Sequence, residues 1–261
     1  MPSRAAAFAP LLLLLVPTLP ACTGAAPSGG PHGLDGEAAA SEPTDPAATF
    51  RAGQLFRPDV REGRFRASDL AAEQEVEDRL RIIEPAAGTE DAWTERTLDE
   101  QGNVLRELRL RRRADGSVEL LELMAPTGRT GGRGELGVYA FEPPLLVMPG
   151  TLRAGEVVRG EAGVVVRANG AERRGTAESE IELLRPEEIA YAGSILPTQR
   201  VRLDIMVRLG PASIERSRLA WVDGGQLLRE RDRLEVRLFG MMLRSEDLLL
   251  RRRAETNPTI R

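Results

Sequence analysis

The sequence predicts a mainly β protein, a curled antiparallel meander that forms a half-barrel or open barrel with one short N-terminal helix. From Trp93 onward, short segments rich in Val, Leu and Ile are separated by turn dipeptides at the spacing typical of all-β sheets. Residues 199–209 alternate between apolar and polar side chains, as a half-buried strand does. With 41% hydrophobic and 29% charged residues, the 261-residue chain has the composition of a globular domain.

The scarcity of two residue types excludes several enzyme classes. Cysteine occurs once, at Cys22, and histidine occurs once, at His32. One residue of each type cannot supply a disulfide framework, a zinc cluster, a Ser-His-Asp triad or a Cys-His dyad. We therefore expect a protein that is not an enzyme and that has no cofactor and no metal site.

The charge balance bears on the choice of partners. All 36 basic residues are arginines, and 40 acidic residues give the chain a net charge of −4. This balance provides no electrostatic attraction to nucleic acid, so we expect no nucleic-acid partner. The planar guanidinium group matches the geometry of a carboxylate, and cross-strand ion pairs are the expected use of so many arginines.

Residues 1–21 have the features of a secretory signal peptide. One positive charge, Arg4, precedes an apolar stretch at residues 11–16, and small residues follow. The stretch is shorter than the ~20 residues that a membrane-spanning helix needs, and Pro17 and Pro20 interrupt it. The sequence therefore predicts export.

Three further segments follow the signal peptide. Residues 22–50 are rich in Ala, Pro, Gly, Ser and acids without apolar periodicity, which predicts a disordered tether in which His32 is solvated. The β domain is predicted over residues 51–254 and a disordered tail over residues 255–261. Ser68 is a candidate N-cap for the one short helix, which a strand then follows.

Turn dipeptides divide the β domain into hairpins. Asp115-Gly116 and Asn169-Gly170 are strong signals for two-residue loops, because both central positions of a type I′ turn need a positive φ. Further turns are predicted at Gln101-Gly102 and at Asp223-Gly224-Gly225.

Opposite charges across the hairpins predict their register. A two-residue loop at Asp115-Gly116 sets these residues opposite each other: Arg112 and Glu119, Arg109 and Glu122, Leu110 and Leu121, Leu108 and Leu123. A three-residue loop at residues 223–225 does the same for Arg218 and Glu230, Arg216 and Asp232, Glu215 and Arg233, Ile214 and Leu234. We expect such pairs to be structural and to contribute ~0.2–1 kcal/mol each.

Some charge and glycine patterns also have a functional interpretation. Glu230 and Asp232 share a strand face as a glycosidase pair does, but an arginine opposite each one favours the ionised form and removes the acid that glycoside cleavage needs. The arginine runs at residues 111–113 and 251–253 are candidates for contact with anionic lipid, although the first has a glutamate partner in the predicted hairpin. Residues 132–137 fit GxGxxG, but a strand follows them instead of the helix that binds a pyrophosphate.

The segment Leu19-Pro20-Ala21-Cys22 resembles the lipobox of bacterial lipoproteins, in which a lipidated cysteine begins the mature chain. The resemblance implies a diacylglyceryl anchor on Cys22 and the membrane as a partner. Each buried methylene contributes roughly 0.8 kcal/mol, so the two acyl chains give stable anchoring. The alternative is a secreted protein cleaved after Ala21 with a free thiol.

Thr23 bears on the choice of membrane. It stands where, in enterobacterial lipoproteins, an aspartate causes retention in the inner membrane. The resemblance therefore implies the periplasmic face of the outer membrane in a cell that has two membranes.

The β domain is similar to the curled half-barrels of bacterial envelope lipoproteins and lipoprotein carriers. A loop at residues 191–196 leads into a long alternating strand, and the next strand carries Trp221 near its end. In this, residues 135–253 also resemble uncharacterised exported bacterial β proteins. Such folds commonly hold an acyl chain or another protein, and the resemblance implies no catalytic residue.

A binding groove is expected because few large side chains are available to fill the concave face of a curled sheet. Aromatic residues make up only 4% of the chain. The predicted apolar groove takes an acyl chain, a lipoprotein or another envelope component, and it is lined by Val201, Leu203, Ile205, Val207, Leu234, Val236 and Leu238. The alternative is a structural or assembly lipoprotein with a self-filled core that acts through protein–protein contacts.

Replacing Cys22 by Ala is expected to leave an uncleaved or soluble protein, because lipid transfer needs the thiol. Fractionation of membranes and soluble extract, with detection of the chain, measures this. A Cys22→Ala protein that still fractionates with membranes after loss of the signal peptide contradicts the lipoprotein prediction.

Overall fold

Twelve antiparallel strands form one closed barrel in the computed structural model of the chain. The structure describes residues 49–55, 62–86, 91–126 and 136–254. The predicted mainly β fold with antiparallel strands is confirmed, and the sheet closes on itself instead of ending as a half-barrel or open barrel.

The described residues contain fourteen strands and one short helix. In chain order they are β1 (Thr49–Arg51), α1 (Ala52–Leu55), β2 (Glu62–Asp69), β3 (Gln74–Pro85), β4 (Ala92–Leu98), β5 (Val104–Arg112), β6 (Val118–Pro126), β7 (Leu136–Met148), β8 (Thr151–Arg153), β9 (Val157–Ala168), β10 (Ala171–Tyr191), β11 (Ser194–Leu209), β12 (Ala212–Asp223), β13 (Gln226–Leu238) and β14 (Met241–Arg252).

The barrel consists of two six-stranded halves. Strands β2 to β7 follow one another in the ring and form the N-terminal sheet, and strands β9 to β14 form the C-terminal sheet. Two short ladders join the sheets: β7 pairs with β9 over residues 138–142 and 163–167, and β14 pairs with β2 over residues 248–252 and 65–69. Neither junction links strands that are connected by a hairpin.

Turn chemistry fixes the hairpin between β9 and β10 as the sequence predicts. Ala168 pairs with Ala171, so the loop consists of Asn169 and Gly170 alone. Both loop residues have positive φ values, 52° and 73°, as a type I′ turn requires.

The hairpin between β5 and β6 differs from the prediction near its turn. The Arg113 N–H donates to the Ser117 carbonyl at 2.8 Å, so the loop has three residues, 114–116, rather than two. Glu119 therefore lies opposite Arg111 instead of Arg112, and Leu110 opposite Leu120. A register shift after Leu110 restores the predicted pairs further along the strands, namely Arg109 with Glu122 and Leu108 with Leu123.

The predicted register of the hairpin between β12 and β13 is wrong. Asp223 pairs with Gln226, which makes Gly224-Gly225 a two-residue loop, and a bulge follows between Val222 and Trp221. The two-residue loop shifts the pairing by one residue from the predicted register, and the bulge shifts it by a second residue. The pairs are then Arg218 with Asp232, Arg216 with Leu234, Glu215 with Glu235, and Ile214 with Val236.

Two local predictions give way to strand structure. The helix predicted from Ser68 is absent, because β2 runs to Asp69 and the Asp69 carboxylate accepts the N–H groups of Ala71 and Ala72, which closes a turn. The strand predicted to end at Pro143-Pro144 continues to Met148. The prolines, which lack N–H donors, mark instead where the ladder with β9 stops. Of the GxGxxG segment, residues 132–135 lie outside the described residues.

A two-stranded ribbon closes one end of the barrel, which we call the ribbon end. Strand β1 pairs with β8, and the facing side chains of Phe50 and Leu152 are both 0% exposed within the main core. The Gln199 amide N–H, on β11, donates to the Thr49 carbonyl at 3.1 Å. The hairpin loops at residues 169–170, 210–211 and 239–240 lie at the other end, which we call the turn end. No helix among the described residues is long and apolar enough to cross a membrane.

Replacing Phe50 by Ala is expected to lower the free energy of unfolding by about 3–5 kcal/mol, because it leaves a cavity under the ribbon. Thr49→Ala, an exposed change on the same strand, is the control and is expected to stay within about 0.5 kcal/mol. Chemical denaturation measures both values. Equal stabilities of the two variants would contradict the closing role of the ribbon.

Candidate functional site

Seven charged side chains meet inside the barrel and form what we call the interior cluster. The N-terminal sheet contributes three of them and the C-terminal sheet four: Arg81 on β3, Glu95 on β4, Arg106 on β5, Arg216 and Arg218 on β12, and Glu230 and Asp232 on β13. Strand alternation places them there, since Arg106 shares its face of β5 with the buried Leu108 and Leu110. All seven except Arg216 are buried.

Within each sheet, neighbouring strands supply close ion pairs. Arg81 Nη2 donates to Glu95 Oε2 at 2.6 Å in the N-terminal sheet. In the C-terminal sheet, Arg218 Nη2 donates to Glu230 Oε2 at 2.7 Å, and Arg216 Nε donates to Asp232 Oδ1 at 2.8 Å.

Other contacts of the interior cluster cross the barrel from one sheet to the other. Arg106 Nη1 donates to Asp232 Oδ2 at 3.0 Å, although four strands separate β5 from β13 along the shorter path around the ring. Arg81 lies 3.8 Å from Glu230, and Arg218 lies 3.8 Å from Glu95. The interior cluster thus links the two sheets through the lumen.

The sequence predicts two of these ion pairs correctly, but it predicts the wrong strand register and a half-exposed location for them. Arg218–Glu230 and Arg216–Asp232 both form, but as diagonal neighbours, because a shift of two residues keeps each side chain on the same face. Both pairs lie inside the barrel, so the scale of ~0.2–1 kcal/mol for half-exposed cross-strand pairs does not apply. Breaking a buried pair by removing one partner costs about 3–5 kcal/mol.

Two of the interior carboxylates, Glu95 and Asp232, are held ionised. Burial raises the pKa of Glu95, but attraction to Arg81, Arg218 and Arg106 exceeds this effect and lowers the pKa from 4.5 to about 2. For Asp232, burial is likewise outweighed by Arg216 and Arg106, and its pKa falls from 3.8 to about 2. A carboxyl group with such a pKa cannot donate a proton at neutral pH.

An apolar cavity of about 220 Å³ lies between the sheets toward the turn end. Strands β6 and β7 form one wall with Leu120, Leu123, Ala125, Tyr139 and Phe141. The C-terminal sheet forms the other wall with Ile205, Val207, Ile214, Leu234, Val236 and Leu243. Two arginines complete the lining, Arg216 of the interior cluster and Arg244 on β14. Leu243 is 44% exposed, so the cavity reaches the surface beside the hairpin between β13 and β14.

A second, smaller cavity of about 40 Å³ adjoins the first. Leu120, Leu123, Ile205 and Arg216 line both cavities. Arg106 and Arg218 also line the small cavity, which is therefore the place where the apolar interior meets the interior cluster.

The structure brings most of the predicted groove residues to these cavities. Ile205, Val207, Leu234 and Val236 line the large cavity, and Leu203 and Ile205 line the small one. Val201 is buried in the core, and Leu238 is half-buried beside the hairpin turn; neither lines these two cavities. Whether the seven residues bind a ligand stays a prediction.

Sequence reasoning missed the second wall of the cavity and three of the seven residues of the interior cluster. The opposite wall comes from β6 and β7, whose approach to the C-terminal sheet depends on barrel closure. Arg81, Glu95 and Arg106 carried a readable signal, because each occupies an inward position of an alternating strand. A charged residue at such a position indicates a buried partner.

The arginine runs are engaged in contacts of their own. Glu119 accepts a hydrogen bond from Arg111 at 2.7 Å and lies 3.5 Å from Arg113, while the Arg112 guanidinium lies 5.7 Å from the ring centre of Trp93. In the second run, Arg253 lies 2.5 Å from Asp78.

Several predicted features lie beyond the structural description. Cys22, Thr23 and His32 are outside the described residues. Among the residues that are described, no group of three or more His, Cys, Asp or Glu side chains is arranged to hold a metal ion.

Solved structures that are similar to this chain include two from bacteria. One is a protein assigned as exported, with a YmcC-like fold, from Bacteroides fragilis; it is 10% identical, the match covers 73% of this chain and 92% of that one, and the TM-score is 0.39. The other is the hypothetical lipoprotein YmcC from Escherichia coli, which is 11% identical, with 75% and 85% covered and a TM-score of 0.35. No family model and no curated protein matches the sequence. The functional interpretation therefore comes from this chain's own residues.

Replacing Glu95 by Gln is expected to lower the free energy of unfolding by about 3–5 kcal/mol, because Arg81, Arg106 and Arg218 lose a buried countercharge. Chemical denaturation at neutral pH measures the loss. Glu84→Gln is the control on the exposed side of β3, where loss of the ion pair with Arg96 is expected to cost at most about 1 kcal/mol.

Glu95→Gln is also expected to change how the stability of the protein depends on pH in acid. The lowered pKa of Glu95 means that its contribution to stability is present above pH 4.5 and is lost as the pH falls toward about 2. Glu95→Gln should remove this part of the acid dependence. A variant with unchanged stability and an unchanged acid profile would contradict the cross-linking role.

Proposed function

We propose that the chain is an exported, lipid-anchored envelope protein that is not an enzyme and whose barrel binds the apolar chain of an amphiphile. The cavity of about 220 Å³ supports this proposal, since apolar side chains make up most of its lining. Export and anchoring are proposed from the signal peptide and from the lipobox-like segment ending at Cys22.

The size of the cavity limits the ligand. An apolar cavity of about 150 Å³ holds a benzene-sized molecule, and pockets for drug-sized ligands start at about 300 Å³. At about 220 Å³, the cavity accommodates part of an acyl chain and not a whole phospholipid. Because Leu243 is both exposed and part of the lining, the rest of a longer chain can leave at the turn end.

The proposal of a non-catalytic role rests on the groups that line the cavities. Asp232, which is bound to the lining residue Arg216, is held ionised, as its lowered pKa reflects. The remaining lining groups are aliphatic and aromatic side chains and arginines. This set offers binding and charge stabilisation but no proton donor matched to neutral pH.

One observation favours a second candidate function, an assembly role. The hairpin between β13 and β14 exposes apolar side chains at Phe239, Met241 and Met242, and Phe239 is 74% exposed. Exposed apolar clusters of this kind mark protein–protein or membrane contact sites. In this alternative the barrel interior is only a core, and the hairpin contacts another envelope protein.

Displacement of an apolar fluorescent dye by fatty acid separates the two functions. A chain that starts at residue 43 retains every described element and the shared core, and it is delipidated before titration. Ile205→Glu, which places a carboxylate in both cavities, is expected to weaken dye binding at least about tenfold, because a charged group then occupies the space of the apolar part of the dye. Val236→Phe, which fills the large cavity without adding charge, should also weaken binding.

Met206→Glu is the matched control on the next residue of β11, whose side chain lies on the outer face. It is expected to bind the dye as the unaltered chain does. Binding that is equal in the Ile205→Glu and Met206→Glu variants would place the dye elsewhere. Absence of binding by the unaltered chain would overturn the lipid-binding proposal and leave the assembly role.

A further inference from the structure

We infer that the ligand is a monoanionic amphiphile of the fatty-acid class, bound with its carboxylate inside the barrel at Arg216 and its apolar chain directed toward the turn end. This inference rests on the proposed function and specifies the chemistry and the orientation of the ligand. It is carried by the place where the apolar cavity meets the interior cluster.

The interior cluster has an excess of positive charge. It contains four arginines and three carboxylates, so its formal charge is +1. Among the described residues that line the two cavities there is no acidic side chain to balance this charge. An uncompensated charge in a low-dielectric interior is costly, and an anion placed beside it is correspondingly favoured.

Arg216 lies where the two cavities meet the interior cluster. It lines both cavities and keeps 20% of its side-chain surface accessible, whereas Arg81, Arg106 and Arg218 are each below 10%. Its hydrogen bonds to Asp232 use Nε and Nη2, and Nη1 has no acceptor among the described residues. A guanidinium group has five N–H donors, so Arg216 can bind Asp232 and a second carboxylate together.

Two arginines beside Arg216 have buried N–H donors that are not used within the described part of the chain. Arg106 and Arg218 line the small cavity beside Arg216, and the Nε atoms of both are buried without a hydrogen-bond partner among the described residues. Burial, followed by repulsion from Arg216, lowers the pKa of Arg106 to about 10. An anion at this point therefore adds attraction where the arginines repel one another.

The size of the small cavity limits the headgroup of the ligand. At about 40 Å³, the small cavity has less than a fifth of the volume of the large one. A carboxylate fits a space of this size, whereas a glycerophosphate headgroup does not. The size of the small cavity thus favours fatty acid over phospholipid, as the size of the large cavity already does for the apolar chain.

The opposite orientation would place the carboxylate at Arg244, which lines the large cavity next to the exposed Leu243. Arg244 Nε donates to Glu246 Oε1 at 2.8 Å, so its charge has a carboxylate partner on the same strand. The interior cluster, in contrast, has an excess of positive charge. The geometry therefore favours the inner orientation.

The experiment compares a fatty acid with the fatty alcohol of the same chain length, by displacement of the same dye at a pH well above the pKa of the free acid. The unaltered chain is expected to bind the acid at least about tenfold more tightly than the alcohol, because charge-assisted hydrogen bonds are roughly twice as strong as neutral ones and the site excludes water. Arg216→Met should reduce this ratio to about one with little change in alcohol binding. Arg208→Met, an exposed change on the outer face of β11, is the control and should preserve the ratio, and Arg244→Met tests the opposite orientation.

Each outcome bears on one proposal. Equal affinities for acid and alcohol in the unaltered chain would overturn the inference while leaving apolar-chain binding intact, and this comparison needs no variant to fold. A ratio that depends on Arg244 and not on Arg216 would place the carboxylate at the mouth and would also overturn it. If neither compound binds, the proposed function itself fails.

Discussion

The ion pairs that cross the lumen determine the arrangement of the barrel interior. Arg106 and Asp232 lie on strands far apart around the ring, yet their side chains are 3.0 Å apart. Such contact requires the N-terminal and C-terminal sheets to approach each other as two facing layers. Because each charge would be costly without its partner, the two layers are held at one spacing.

This spacing accounts for where the cavity lies. Phe50 and Leu152 fill the ribbon end, and the interior cluster occupies the middle of the barrel. Toward the turn end the two walls enclose the cavity, and the chain has few aromatic side chains to fill it. The result is an apolar space with a positively charged floor, an arrangement that the proposed binding of a fatty acid uses directly.

The sequence predicts local features of this fold well, because they depend on neighbouring residues. The alternation at residues 199–209 and the Asn169-Gly170 turn both hold. The predicted registers are wrong near the bulges, because the apolar–polar alternation of a strand does not reveal an inserted residue such as the bulge at Trp221. Charge matching nevertheless paired Arg218 with Glu230, because diagonal neighbours on one face remain within reach of long side chains.

Features that depend on contacts between distant parts of the chain could not be predicted from the sequence pattern. Closure joins β14 to β2 and β7 to β9, and no turn residue records either junction. The cavity wall formed by Leu120 and Phe141, and the contacts of Arg81 and Arg106 with the C-terminal sheet, all follow from that closure. Export, lipidation of Cys22 and ligand binding remain predictions.

The two junctions between the sheets have a dynamic consequence. Each ladder spans only five residues of each strand, whereas β10 and β11 pair over most of their length. Cooperative opening of a short ladder breaks few hydrogen bonds, so these seams belong to the low-energy end of the local unfolding spectrum, where amide hydrogens exchange fastest. Tyr139 and Phe141 of the cavity wall pair with Val166 and Val164 within the seam between β7 and β9, so amide exchange along this ladder would report directly on the wall of the cavity.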